Sequence, residues 1–146
     1  MHFRRMRLED LAVVSELGIQ SKAHWGYSAK QMCVFTEELT HGPELLDRSL
    51  EAQVAVNGGQ IVGYFTLVEH DDESIELDFM FVDHCQLRQG IGTAMMQEAI
   101  RLAKAHGAKS LMLIADPNAA GFYRKLGATQ TGEHQSSIPG RTIPVM

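Results

Sequence analysis

Long apolar runs are missing from this chain. The roughly 18 consecutive apolar residues needed to cross a bilayer occur nowhere in its 146 residues. Cysteine is scarce: Cys33 and Cys85 are the only two, too few for a disulfide scaffold, and they are expected as reduced, mostly buried thiols. Basic charge is in deficit, with 13 Lys and Arg against 18 Asp and Glu and a net charge of −5. That excludes the broad basic footprint on which nucleic-acid binding rests. The stretch Met1-His2-Phe3-Arg4-Arg5-Met6-Arg7 is basic, but Leu8-Glu9-Asp10 follows where a signal peptide needs its apolar segment. The expectation is a soluble, cytoplasmic protein, with no membrane or nucleic-acid partner. Repeats, low-complexity stretches and linkers are also absent, so residues 1–146 are read as one domain.

What is present suits a globular fold. Hydrophobic residues make up 45% and charged residues 21%, ordinary values for a folded domain. A chain of this length buries roughly 70% of its unfolded surface. The charge is unevenly spread. Residues 86–127 carry six Lys or Arg against two Asp or Glu, a local excess of four positive charges that leaves nine net negative charges elsewhere. A basic segment in an acidic protein suits an anionic ligand there and a cationic one elsewhere; chance surface variation is the alternative.

Patterning gives the elements. His2–Met6 reads as a short strand. Leu11, Val14 and Leu17 recur at helical spacing, for a helix over about 9–23 that His24-Trp25-Gly26-Tyr27 breaks. Ser28-x-x-Gln31 resembles a capping box opening a second helix that ends before Gly42-Pro43, and Glu44–Leu50 adds a helical turn. Ala52–Val56 and Ile61–Val68 flank the hairpin turn Asn57-Gly58-Gly59. Glu73–Val82 is the next strand. A helix then runs from Ile91 to the stop at Gly107. Ser110–Ala115 is an apolar strand, as expected inside a sheet. Asp116-Pro117 reads as N-cap and first residue of a short helix to about Leu126. Weak strands over Ala128–Glu133 and Arg141–Met146 finish the chain. An antiparallel half is thus followed by a βαβ crossover, right-handed with parallel strands. The fold class is α/β with a mixed (α+β) sheet: about six or seven twisted strands flanked by about four helices.

Gly90-Ile91-Gly92 lies between a strand and a helix. Glycine there lets the backbone approach a ligand, and the free N–H groups of a helix start, with its positive dipole end, suit phosphate. A tight strand–helix turn needs glycine anyway, which is the plainer explanation. The P-loop pattern Gly-Lys-Ser/Thr is absent. The dinucleotide fingerprint fails because Met95 stands where Gly or Ala is required, which disfavours a nucleotide-binding regulator.

Gly90-x-Gly92, its amphipathic helix, the apolar strand and then Asn118-Ala-x-x-Phe122-Tyr123-x-x-Leu126-Gly127 together resemble the GCN5-related N-acetyltransferase (GNAT) superfamily, closely over about residues 76–133. The resemblance implies a GNAT-like acyl-CoA N-acyltransferase fold and a cofactor site for acetyl-CoA, the cosubstrate. Arg88, Gln89, Gly90, Ile91, Gly92 and Thr93 match the segment whose backbone amides hold the coenzyme A pyrophosphate. Phe81 and Val82 match the strand end that hydrogen-bonds the pantetheine arm. Asn118 matches the family's cofactor-contacting Asn, with Phe122 beside it, and Tyr123 matches the Tyr that protonates the leaving thiolate. Leu87 departs from the family, which usually has Gln or Arg there, leaving Arg88 or Gln89 to supply the polar contact.

The implied activity is transfer of acetyl to a primary amine of a small molecule or peptide, directly within a ternary complex. A non-catalytic acyl-CoA-binding regulatory module is the alternative. An alkyl ammonium has a pKa of about 10.4, so a general base must deprotonate it. Glu76 is the positional match to the base of histone-acetylating members, and Asp78 shares its face. Either carboxylate needs burial or a water relay to serve at neutral pH, and both can equally be the solvent face of an alternating strand. His24, Trp25 and Tyr27 stand where such enzymes form the acceptor wall, or they are core. His84-Cys85 lacks metal-ligand spacing and a third ligand, so no metal is expected. Met80, Met95, Met96 and Met112 read as core filler. Oligomeric state is open between monomer and homodimer.

Overall fold

The computed structural model describes residues 1–87, 89–135 and 142–145. Arg88, expected in the cofactor loop, lies outside the described residues. The elements run β1 (His2–Arg5), α1 (Leu11–His24), α2 (Ala29–Leu39), α3 (Glu44–Arg48), β2 (Glu51–Asn57), β3 (Gln60–Glu69), β4 (Ser74–Val82), α4 (Ile91–Ala105), β5 (Ser110–Leu113), α5 (Ala120–Lys125), β6 (Gly132–Gln135) and β7 (Thr142–Val145). Single 3-10 turns precede α1 and follow β4.

Local chemistry explains most of these boundaries. Asn57 pairs with Gln60 across the hairpin, and Gly58 and Gly59 both adopt positive φ, at 59° and 80°, which a side chain would resist. The capping box before α2 is present: Ser28 Oγ accepts from Gln31 N–H, and the Gln31 side chain accepts from Ser28 N–H, both at 3.1 Å. The start of α5 differs from expectation. It opens at Ala120 with Ala119 as N-cap, because the Asp116 carboxylate instead accepts the Asn118 N–H at 2.8 Å and spends Asp116-Pro117-Asn118 in a side-chain-closed turn.

Five strands form one sheet in the order β1-β2-β3-β4-β5, and β6 and β7 pair separately. The seven strands described are thus divided, where one sheet of six or seven was expected. β1 to β4 are antiparallel neighbours, and β4 and β5 are parallel, as the crossover requires. Five α-helices are described, α3 and α5 being short. β7 falls within the strand expected over Arg141–Met146, whose end residues lie outside the described ones. No helix among the described residues is long and apolar enough to cross a membrane.

The sheet carries a core on each face. One holds Phe65, Leu67, Ile75, Leu77 and the α4 residues Ile91, Met95 and Ala99; the other holds Val54 and Tyr64 against Val14 and Leu17 of α1 and Leu45 of α3. Each such large apolar side chain contributes roughly 1.5–3 kcal/mol on burial. Close approach needs glycine at two places. A Cβ on Gly18 would lie 2.8 Å from Tyr64 Oη, and one on Gly63 would lie 2.6 Å from Met95 Sδ. Both cysteines are exposed, correcting the expectation of buried thiols. Phe35 and Leu39 take the buried face of α2 and leave Cys33 outside it, while Cys85 sits in the polar turn after β4.

Candidate active site

β4 and β5 pair only over Ser74–Leu77 and Ser110–Leu113. The ladder between β4 and β5 ends at Leu77, while β4 itself continues to Val82. A β-bulge marks the parting. Thr66 pairs with Phe79 and Leu67 with Leu77, so Asp78 is the extra residue on β4. The Phe79 N–H finds Thr66 Oγ1 at 3.2 Å, and Thr66 is fully buried. The end of β4 is held from the helical face by Ser21 of α1, whose hydroxyl donates to the Val82 carbonyl at 2.5 Å.

The Gly90 loop faces the same region. Gly90 adopts φ +79° as N-cap of α4 and supplies no side-chain cap. The N–H groups of the first helical turn therefore point outward without intrahelical partners. The first backbone bond of that turn runs from Ala94 N–H to Gly90 O at 3.0 Å. Gln89 and Gly90 are exposed, while Gly92 and Thr93 are half-buried. A Cβ on Gly92 would lie 3.1 Å from Phe122 Cζ, so the start of α4 and the ring face of α5 are in direct contact. Next to Phe122, Tyr123 is only 7% exposed and packs in the core with Ile91, Met95 and Ala115. Burial, and then the Asp116 charge, push its phenol well above the ordinary tyrosine range. The O–H therefore stays protonated and can donate.

The two carboxylates of β4 differ. Glu76 is half-buried and lies in the paired part, opposite Val68 and Met112. Asp78 sits at the bulge, and Arg48 at the end of α3 reaches it at 2.8 Å. The buried Asp78 Oδ2 thus has the Arg48 guanidinium as its counter-charge. Burial raises the Asp78 carboxyl, and Arg48 only partly offsets it. Asp78 is thus no solvated strand residue.

A second polar group ties α1 and the turn after it to the segment following β5. Asp116 is ion-paired with Lys22 of α1. It accepts from Tyr27 Oη at 2.7 Å, and Asn118 Nδ2 lies 3.0 Å from its other oxygen. Burial works to raise the Asp116 carboxyl, but Lys22, Tyr27 and the Asn118 N–H together hold it below the usual range. The Lys22 ammonium also lies 4.3 Å from the centroid of the Phe35 ring. Tyr27 and Asn118, expected as acceptor wall and cofactor contact, are thus joined at 3.2 Å.

A model of the acetyltransferase (GNAT) family matches residues 20–128. The chain belongs to this family. The GNAT match begins inside α1 and ends just past α5, so it contains β4, the Gly90 loop and Tyr123. Solved structures agree in fold. A GCN5-related N-acetyltransferase from Rhodopseudomonas palustris is 23% identical, with a TM-score of 0.82 over 99% of this chain and 92% of that one. The PaiA N-acetyltransferase of Thermoplasma acidophilum, in complex with coenzyme A, is 18% identical, with a TM-score of 0.77 over 99% and 96%. A GNAT acetyltransferase from Brucella melitensis, in complex with acetyl-CoA, is 18% identical, with a TM-score of 0.67 over 99% and 86%.

Other sequence candidates fall less simply in the GNAT chain. Trp25 is 44% exposed and is not core. His24 is exposed and meets the rings of both Trp25 and His84. The expectation that His84-Cys85 lacks a third ligating group is corrected, because Asp83 stands beside them. Lys22, Arg48 and Asp116 were not expected as site residues. Asp116 carried a signal, since an Asp before Pro117-Asn118 closes a turn as readily as it caps a helix. Lys22 and Arg48 carried none, because only tertiary packing brings them to carboxylates distant in sequence.

Proposed function

We propose that this GNAT chain, as one domain over 1–146, is an acetyl-CoA-dependent N-acetyltransferase acting on a primary amine by direct transfer in a ternary complex. The observation that carries the reading is the contact of Gly92 with Phe122. It sets a helix start with free N–H groups against the helix bearing a protonated Tyr123, next to Val82 at the end of β4.

The roles follow from charge. The pyrophosphate is held by the backbone N–H groups of Gly90 to Thr93 and the positive end of α4, with Gln89 and Arg88 at the loop. The pantetheine arm runs along the end of β4 at Phe81 and Val82, with Asn118 and Phe122 opposite. Relatives crystallised with coenzyme A or acetyl-CoA support that ligand. The attacking amine must first lose a proton. Glu76 holds the position of the family's base, and the raised Asp78 carboxyl has the better proton affinity, so the base is assigned to this pair. Attack on the thioester carbonyl forms the N–C bond and expels the coenzyme A thiolate, which takes the Tyr123 proton. His24 at the end of α1 and Trp25 and Tyr27 on the turn after it line the acceptor side, where an aromatic face favours a cation.

The test is release of free coenzyme A thiol from acetyl-CoA in the presence of a panel of small amines and amine-bearing peptides. Amine-dependent release supports the reading. Tight acetyl-CoA binding with no release for any acceptor points instead to the regulatory module.

A further inference from the structure

The turn after β4 gathers side chains that take no part in the transfer chemistry. Asp83, His84 and Cys85 each offer a ligand atom, and these atoms lie within 4.8 Å of one another. Cys85 Sγ is 3.5 Å from His84 Nε2, and Asp83 Oδ1 is 3.8 Å from His84 Nδ1. The turn itself fixes this arrangement, because Asp83 Oδ1 accepts the Cys85 N–H at 3.0 Å. Thiol and carboxylate therefore stand at opposite edges of one imidazole. A further imidazole arrives from another element: the His24 ring, at the end of α1, has its centroid 5.9 Å from that of His84.

These separations can be compared with coordination geometry. In a tetrahedral zinc site, bonds of about 2.3 Å to sulfur and about 2.05 Å to nitrogen place those two donors about 3.6 Å apart. The Cys85–His84 pair stands at 3.5 Å without adjustment. The exposed His24 ring neighbours His84, with centroids 5.9 Å apart and planes inclined at 35°, and joins the cluster by rotation of its side chain at the helix end. With Nε2 turned to the thiol, Nδ1–H faces the Asp83 carboxylate. An outer carboxylate behind a ligating histidine fixes its tautomer and raises its basicity. Thiolate and imidazole together select a borderline or soft ion over magnesium or calcium.

We propose that Cys85, His84 and His24 form a binding site for a divalent transition-metal ion of the zinc type, with Asp83 as the outer carboxylate behind His84 and water in the fourth position. Binding forms one metal–sulfur and two metal–nitrogen bonds and releases the Cys85 thiol proton to solvent. Cys85 and His84 take no part in the proposed transfer, whereas the His24 ring also borders the proposed acceptor side, so the two readings share that one side chain. It bridges α1 to the turn that leads into the Gly90 loop.

The experiment titrates the untagged, reduced full-length protein with Co²⁺ as a coloured stand-in, then displaces it with Zn²⁺. A near-ultraviolet thiolate-to-cobalt band saturating at one ion per chain, and bleached by zinc, is expected. Cys85→Ser abolishes the band, and Cys33→Ser leaves it intact. Asp83→Asn weakens zinc binding about 10–100-fold, and His24→Asn by at least as much. Zinc also protects the Cys85 thiol of the unmodified chain from a thiol reagent, a readout that needs no variant to fold. No thiolate band in the parent protein, a band surviving in Cys85→Ser, or unchanged zinc affinity in His24→Asn overturns the proposal.

Discussion

Tyr27 Oη donates to Asp116 Oδ2 at 2.7 Å, joining residues 89 apart in the sequence. The same carboxylate oxygen holds the Lys22 ammonium. The turn between α1 and α2 is therefore fastened to the end of β5 through one largely buried charge pair, with side chains 13% and 12% exposed. Asp116→Asn leaves the Lys22 cation without its counter-charge and is expected to cost on the order of 3 kcal/mol. Replacing both, as Lys22→Met with Asp116→Leu, should recover most of that loss; denaturant unfolding measures each. The pH dependence has a definite sign. A carboxyl held below its unfolded value stabilises the fold above pH about 4 and ceases to do so as pH falls through its folded value. The Asp116→Asn protein should show a flatter acid limb.

Tyr123→Phe removes the phenolic proton and keeps the buried ring. Loss of one positioned proton donor costs about 10²–10⁴-fold in rate. The expected outcome is that fall in kcat, with acetyl-CoA affinity and melting temperature nearly unchanged. A kcat within about twofold of the parent would leave thiolate release to water or backbone N–H groups, and Tyr123 to packing.

Gly92→Asp brings a Cβ to 3.1 Å from Phe122 Cζ and a negative charge to the positive end of α4. Acetyl-CoA affinity measured by calorimetry should fall by at least about tenfold, since a carboxylate there repels the phosphates that a bare helix start attracts. Unchanged affinity would move the phosphates elsewhere.

Glu76→Gln and Asp78→Asn separate the two candidate bases. The variant lacking the base should lose rate most at neutral pH and recover as the amine deprotonates in alkaline solution. Asp78→Asn carries a second expectation. Because burial raises the Asp78 carboxyl in the fold, its ionised form works against folding at neutral pH. The Asn variant should therefore be no less stable than the parent, whatever its rate.

His41 offers a third titration. Burial, and then the Arg48 charge, lower it to about 4. Its Nε2 lies 2.9 Å from Tyr64 Oη, whose phenol burial pushes up, so the phenol donates to a neutral imidazole. The unfolded chain takes up this proton near pH about 6.5, so stability is full above that value and declines as pH falls toward about 4. His41→Gln should flatten the decline in that window, as read by chemical denaturation at stepped pH.

The elements were legible in the sequence because their signals are local. The Ser28–Gln31 box, the Asn57–Gly59 turn and the spacing of Ile91, Met95 and Ala99 each act within a few residues. The glycine turn opening α4 and the short helix carrying Tyr123 were legible for the same reason. Asp78's burial was not, since it depends on a bulge set by Thr66 across the ladder and on Arg48 arriving from α3. Trp25 was open between acceptor wall and core, and the core reading fails because α2 caps itself at Ser28 and leaves the indole outside.

The parting of β4 from β5 after Leu77 has one more consequence. An unpaired rim of strand is a template for any extended group that can match its N–H and C=O spacing. On the proposed reading, the pantetheine arm, with its two amides, is such a group and would serve as a short surrogate strand. By itself the chain is in that sense an unfinished sheet. Backbone amides within 78–82 that turn away from β3 should exchange freely with solvent until acyl-CoA closes the ladder, and slowly afterwards.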